Sequence, residues 1–107
     1  MTATRSRLDL LRIAHARHGP LPVKTEDGSV DFRPRKGAAS VEWHPGDYGH
    51  AVSDADALVA DGFLERRTYA PDGRVRYAIT VRGLKAIDAW PAHLDETCIR
   101  QADAWLH

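Results

Sequence analysis

Two neighbouring runs decide the fold: Leu58-Val59-Ala60-Asp61-Gly62-Phe63-Leu64-Glu65-Arg66-Arg67 and Asp72-Gly73-Arg74-Val75-Arg76-Tyr77-Ala78-Ile79-Thr80. The first closes an apolar helix at Gly62, because a residue without Cβ lets the chain leave in a left-handed conformation and drop Phe63 or Leu64 into the core. Between the runs, Ala70-Pro71-Asp72-Gly73 is a reverse turn. Proline pre-sets the φ of an early turn position, and glycine accepts a positive φ at the last. In the second run Val75, Tyr77, Ile79 and Val81 alternate with Arg74, Arg76, Ala78 and Thr80. A period of two puts one set on a core face and the other on a wet, basic face. Residues 63–81 are therefore expected to form a β-hairpin.

Upstream of the hairpin the period is helical. Tyr48, Val52, Ala55 and Val59 share a face with Leu58 beside them, which implies a helix over 47–61. At the other end, Ser6-Arg7-Leu8-Asp9 combines a capping hydroxyl with an acid near the positive end of the helix dipole. Leu8, Leu11 and His15 then continue a helix over 6–18, which Gly19-Pro20 stops. Residues 20–46 hold Pro20, Pro22, Pro34 and Pro45, so they read as an irregular arm. Within it Glu26-Asp27-Gly28 marks a short hairpin or an irregular turn, and 36–43 is read as a short helix rather than an extended piece. Downstream, Thr80 can cap a helix reaching Trp90, and Pro91 breaks or kinks it. A last amphipathic helix is expected over 92–106, with Leu94, Cys98, Ala102 and Trp105 on its apolar stripe. The expected architecture is one α+β domain, mostly α, spanning 1–107.

The order helix, variable segment, helix, hairpin, helix resembles the winged helix-turn-helix plan. Val81-Arg82-Gly83-Leu84-Lys85-Ala86-Ile87 is similar to the start of the helix that follows the wing in MarR- and PadR-type bacterial regulators. The resemblance lies mainly in residues 50–90 and fails over 21–46, where the family places its second helix. It implies that the third helix enters the major groove while the wing touches the flanking backbone or minor groove. On that mapping His50, Ser53, Asp54 and Ala57 face the DNA, and Arg67, Arg74 and Arg76 are the wing contacts. In such regulators the helix after the wing is the usual dimer element. A homodimer through Leu94, Cys98, Ala102 and Trp105 is the corresponding expectation, and a repressor the corresponding role.

Charge sharpens this reading and also opposes it. The 107 residues carry 15 Lys+Arg and 15 Asp+Glu, but the sum hides blocks. Residues 1–36 hold eight cations and four acids, for +4, and 37–64 hold five acids and no Lys or Arg, for −5. Residues 65–82 hold five arginines and two acids, for +3, and the remainder sums to −2. A groove reader normally presents Arg, Lys, Asn or Gln, the side chains that match base-edge acceptors. The helix over 47–61 presents Asp54, Asp56 and Asp61 instead. Affinity for duplex DNA would then come from Arg66, Arg67, Arg74 and Arg76, helped by Arg5 and Arg7 and by Arg33, Arg35 and Lys36 on the arm, with limited readout by His50 and Ser53. The alternative is a winged helix used as a protein–protein interaction module.

Other classes fare worse. The longest apolar stretches are too short for a membrane span, and Asp9 and Arg12 interrupt the N-terminal leucines, so no signal-peptide core is expected. Cys98 is the single cysteine, which excludes an internal disulfide and suits a reducing cytoplasm. Of the six histidines only His15 and His18 have helical spacing, so no metal site or cofactor is expected. No nucleophile elbow, phosphate loop, HExxH or paired-cysteine motif occurs, so no enzyme is expected.

Overall fold

A computed structural model of the chain describes residues 5–68 and 73–99, and the side chains among them except those of Arg5, Ser6 and Thr68. The chain starts with α1 (Arg5–His18), whose Leu10, Leu11 and Ala14 form a buried stripe. Gly19, at φ 85°, ends the helix with its amide on the His15 carbonyl at 2.9 Å. A hairpin follows, β1 (Leu21–Lys24) paired antiparallel with β2 (Val30–Arg33). Asp27 holds its tip by accepting from the Ser29 amide at 3.0 Å, an Asx-type turn. Val30 and Phe32 face the interior, alternating with Asp31 and Arg33.

Residues 36–43 are not helical, contrary to the expectation. Gly37 adopts φ 88° in a turn after Arg35, and the chain then bends at Ala39 and Val41 before Trp43 bridges Tyr77. Trp43 exchanges both backbone bonds with Tyr77, its amide donating to the Tyr77 carbonyl at 3.0 Å and its carbonyl accepting from the Tyr77 amide at 2.8 Å. Tyr77 lies in β4 (Val75–Ile79), which pairs antiparallel with β3 (Leu64–Thr68). A helix over 36–43 would have left this edge of β4 without its backbone partner, and a glycine inside it would cost about 1 kcal/mol.

The helix expected over 47–61 is divided. A 3-10 turn (Pro45–Tyr48) ends at Gly49, which takes φ 73°, and α2 (Val52–Ala60) starts afresh. Proline suits the first position of the turn, and His44 caps it by accepting from the Gly46 amide at 3.0 Å. The hairpin matches the sequence reading, although its tip over 69–72 lies outside the described residues. After it comes α3 (Val81–Ala86), capped by Thr80, whose hydroxyl accepts from the Gly83 amide at 3.1 Å. This helix is shorter than expected. It stops where Asp88 turns to φ 56° and the Ala89 amide closes on the Leu84 carbonyl at 2.7 Å.

Residues 92–99 also depart from the expected amphipathic helix. Asp95 caps a single 3-10 turn (Glu96–Cys98), and Ile99 then bridges Val30 in parallel. Leu94 is buried within the domain and Cys98 is exposed, so they do not share an apolar stripe. Ala102 and Trp105 lie outside the described residues.

The described residues form an α+β domain with three α-helices and two small antiparallel sheets, compatible with a winged helix. One core joins Leu10, Leu11 and Ala14 to Phe32, Trp43, Ala55, Leu58, Leu64, Tyr77, Ile79 and Leu84. Among the described residues no helix is long and apolar enough to cross a membrane.

Candidate nucleic-acid interface

Strand alternation fixes what each wing residue can touch. Tyr77 shares the inner face with Trp43, so Glu42 and Arg76, each one residue away, project from the opposite face. Arg67 pairs with Arg76 across the hairpin and lies on that face too. Like charges directly opposite one another on a sheet repel. A carboxylate answers them: Arg67 donates from Nη1 to Glu42 Oε2 at 3.0 Å and from Nη2 to Glu65 Oε2 at 3.2 Å. The Arg67 side chain is 11% exposed and that of Glu42 is 1%, so this is a buried ion pair rather than a free contact. Ala78, expected on the wet face, is also buried. The segment that carries Glu42 and Trp43 along the β4 edge accounts for both departures.

A second cluster joins α2 to the wing. The Tyr77 hydroxyl donates to Asp56 Oδ1 at 2.7 Å, and Arg66 Nη2 donates to the same oxygen at 3.0 Å. The Tyr77 bond, with the Arg66 guanidinium second, holds the Asp56 carboxyl below the usual carboxylate range. Burial, followed by the bond to Asp56, pushes the Tyr77 phenol up. Tyr77→Phe is expected to cost about 1 kcal/mol, the usual net worth of a hydrogen bond. Because a depressed carboxyl contributes stability above its unfolded value that is lost as pH falls through its folded value, that variant also loses part of its acid dependence. Thermal melts at neutral and acid pH, with NMR titration of Asp56, check both effects. An unchanged Asp56 titration would contradict this assignment.

Two further acids beside this helix, Asp54 and Asp47, are paired as well, and Asp61 stands at its C-cap. Asp54 lies 3.7 Å from Arg7 Nε and 3.6 Å from His50 Nδ1, and Asp47 lies 3.5 Å from Arg74 Nη2. Ser53 is exposed in the first turn of α2, next to the exposed Val52. Ala51 stands at the cap of α2 and supplies no side-chain acceptor for the first-turn amides.

On the arm, Arg33 and Lys36 are exposed, whereas Arg35 is bound to α1, with Nε donating to the His15 carbonyl at 2.6 Å. Arg76 is half-buried beside an open cleft of about 320 Å³, lined by His18, Ala39, Ser40 and Glu42. Arg66, Arg67 and Arg74 therefore meet acids of this same chain, while Arg33, Lys36 and Ser53 face outward. Sequence reasoning missed Glu42. Its signal was the alternation Val41, Glu42, Trp43, His44, which reads as an edge strand with Glu42 on the polar side.

Among the described residues no three His, Cys, Asp or Glu side chains converge as a metal site. Comparison of the chain with protein-family models, curated proteins and solved structures gave no match.

Proposed function

We propose that this domain binds duplex DNA as a winged helix-turn-helix regulator, with a repressor role. The observation that carries the reading is the pairing of acids around α2 with cations of the same chain: Asp47 with Arg74, Asp54 with Arg7, and Asp56 with Arg66. Part of the acidity that opposed a groove-facing helix is thereby offset internally; Asp61, at the C-cap, is not among these pairs. The 3-10 turn Pro45–Tyr48 takes the place of the second helix, and Gly49 supplies the turn into α2. Ser53 lies at the helix end that would approach base edges, and a helix end whose cap residue, Ala51, supplies no side-chain acceptor suits a backbone phosphate. Arg33 and Lys36 supply phosphate contacts from the arm, and Arg74 and Arg76 supply them from the wing. Arg74 carries five N–H donors, so it can reach a phosphate while Nη2 keeps Asp47.

A second reading is supported by the same ion pairs. With Arg67 buried against Glu42 and Arg66 bound to Asp56, the wing spends cations internally. A protein-interaction module needs no surplus of positive charge on this face.

Fluorescence anisotropy of a labelled duplex separates the two. On the DNA reading, the Arg74→Ala/Arg76→Ala double variant binds more weakly at low salt. The slope of log affinity against log salt then becomes shallower by about 2, since each lost phosphate contact removes about 0.9. Binding and slope equal to those of the parent protein would overturn the wing assignment. Mass measurement in solution tests the homodimer separately.

A further inference from the structure

We infer that His15 and His18 form an acid-sensitive clamp that holds the 35–48 segment against the end of α1. The two histidines lie on the last turns of α1 and grip that segment at different points. Arg35 Nη2 lies 3.3 Å from His15 Nδ1, while Arg35 Nε bonds the His15 carbonyl. A guanidinium can only donate, so His15 Nδ1 must accept and the ring must be neutral. His18 Nδ1 lies 3.2 Å from the Ser40 carbonyl, which can only accept, so this nitrogen carries the proton. His18 Nε2 is then the acceptor for the Tyr48 hydroxyl, and the two rings meet edge to face at 5.8 Å. The Arg35 amide reaches the His18 carbonyl at 3.1 Å and completes the seam.

Adding a proton disrupts both contacts. On His15 it would occupy Nδ1, turning an acceptor into a second donor facing the Arg35 guanidinium. On His18 it would occupy Nε2, so the Tyr48 hydroxyl could no longer donate there. The surroundings oppose that charge on balance. Burial, then Arg35, lowers the His15 pKa, against the Pro20 carbonyl, which raises it. Burial is the main cause lowering the His18 pKa, with Arg17 adding to it, while the Ser40 carbonyl and Asp47 act the other way. Glu42 and Arg76, which flank His18 in the cleft, are the remaining charged groups there. Burial and Asp47 push the Tyr48 phenol up, so Tyr48 stays a neutral donor.

The sign follows. Both groups bind protons more weakly folded than unfolded, so the clamp is complete above 6.5, the ordinary histidine value, and is lost as pH falls through the lowered folded values. The two histidines sit beside Arg35 and the 3-10 turn, so opening would free the arm and the helix-turn-helix entry together. The inference stands on the fold and holds independently of what the domain binds.

Amide hydrogen exchange on the full chain at pH 7.5 and 5.5, corrected for intrinsic rates, tests it. Protection of the Arg35 and Ala38 amides is expected to fall at the lower pH, while that of Tyr77 and Leu84 persists. In the His15→Gln/His18→Gln variant, whose amides donate and accept without titrating, the pH difference should vanish. Equal protection of Arg35 in the parent at both pH values, or an undiminished pH difference in the variant, would overturn the clamp. Should the variant fail to fold, NMR titration of the parent decides: ring titration of both histidines below 6.5 supports the clamp, and titration at or above it overturns the clamp.

Discussion

Glu42→Ala is expected to lower stability by about 3–5 kcal/mol, the cost of removing one partner from a buried ion pair. The Glu42 side chain is 1% exposed and its Oε2 lies 3.0 Å from Arg67 Nη1. Without it, Arg67 and Arg76 would confront each other across the hairpin, and Arg67 would keep the exposed Glu65. For a domain of this size the loss corresponds to a fall in Tm of about 12 °C or more. That is a large share of a total stability of about 5–15 kcal/mol. Replacing both partners by apolar residues, as in Glu42→Leu/Arg67→Met, should recover much of the loss, because two desolvated charges disappear together. Urea melts of the single and double variants give the coupling directly. A Glu42→Ala loss below about 1 kcal/mol would mean that water, not Arg67, satisfies the carboxylate.

Gly83→Ala is expected to destabilise by about 1–3 kcal/mol or more, the range for over-packing a filled site. In an unconstrained helix the same change would gain about 1 kcal/mol, so the sign alone is diagnostic. A Cβ at Gly83 would sit 2.2 Å from the Phe63 carbonyl oxygen and 2.8 Å from Ile79 Cγ2. The first of these is backbone, held at the start of the wing by the Thr80 amide at 3.1 Å, and cannot swing aside. Helix α3 would have to lift from the wing and uncover Leu84, which is fully buried. Lys85→Ala, on the exposed side of the same helix, is the control and should change little. Thermal unfolding of both variants checks this, and a stabilised Gly83→Ala protein would contradict the close approach of α3 to Phe63.

The wing could be read from sequence because its determinants are local. Gly62 ends α2, the residues from Val75 to Ile79 alternate, and Thr80 caps α3 by accepting from the Gly83 amide at 3.1 Å. The arm was harder because its partners are distant. Trp43 is extended since its backbone partner is Tyr77, and Val30 meets Ile99. The alternation from Val41 to His44 marks an extended piece but not its partner, and the apolar spacing over 92–106 suggested a helix although Ile99 pairs with Val30. Gly49 was the readable exception, a residue that tolerates positive φ inside a run taken as continuous helix. The candidate site divides in the same way. Arginine content marks the β3–β4 hairpin as rich in cations, but composition cannot show that Arg67 is buried against Glu42 or that Arg66 and Tyr77 share one oxygen of Asp56. The conflict between an acidic helix and a DNA-binding plan was legible in the charge blocks. Its partial internal compensation by Arg7, Arg66 and Arg74 required the fold.

The salt dependence of duplex binding by the parent protein tests the central claim most directly. With Arg33, Lys36, Arg74 and Arg76 as phosphate contacts, the slope of log affinity against log salt should be about −3 to −4. At low salt the dissociation constant should be tens of micromolar or tighter, since non-specific binding alone reaches about 10⁻⁴–10⁻⁶ M at physiological salt. No retention of duplex at tens of micromolar protein and low salt would contradict the DNA-binding account and leave the protein-interaction module as the reading of this fold.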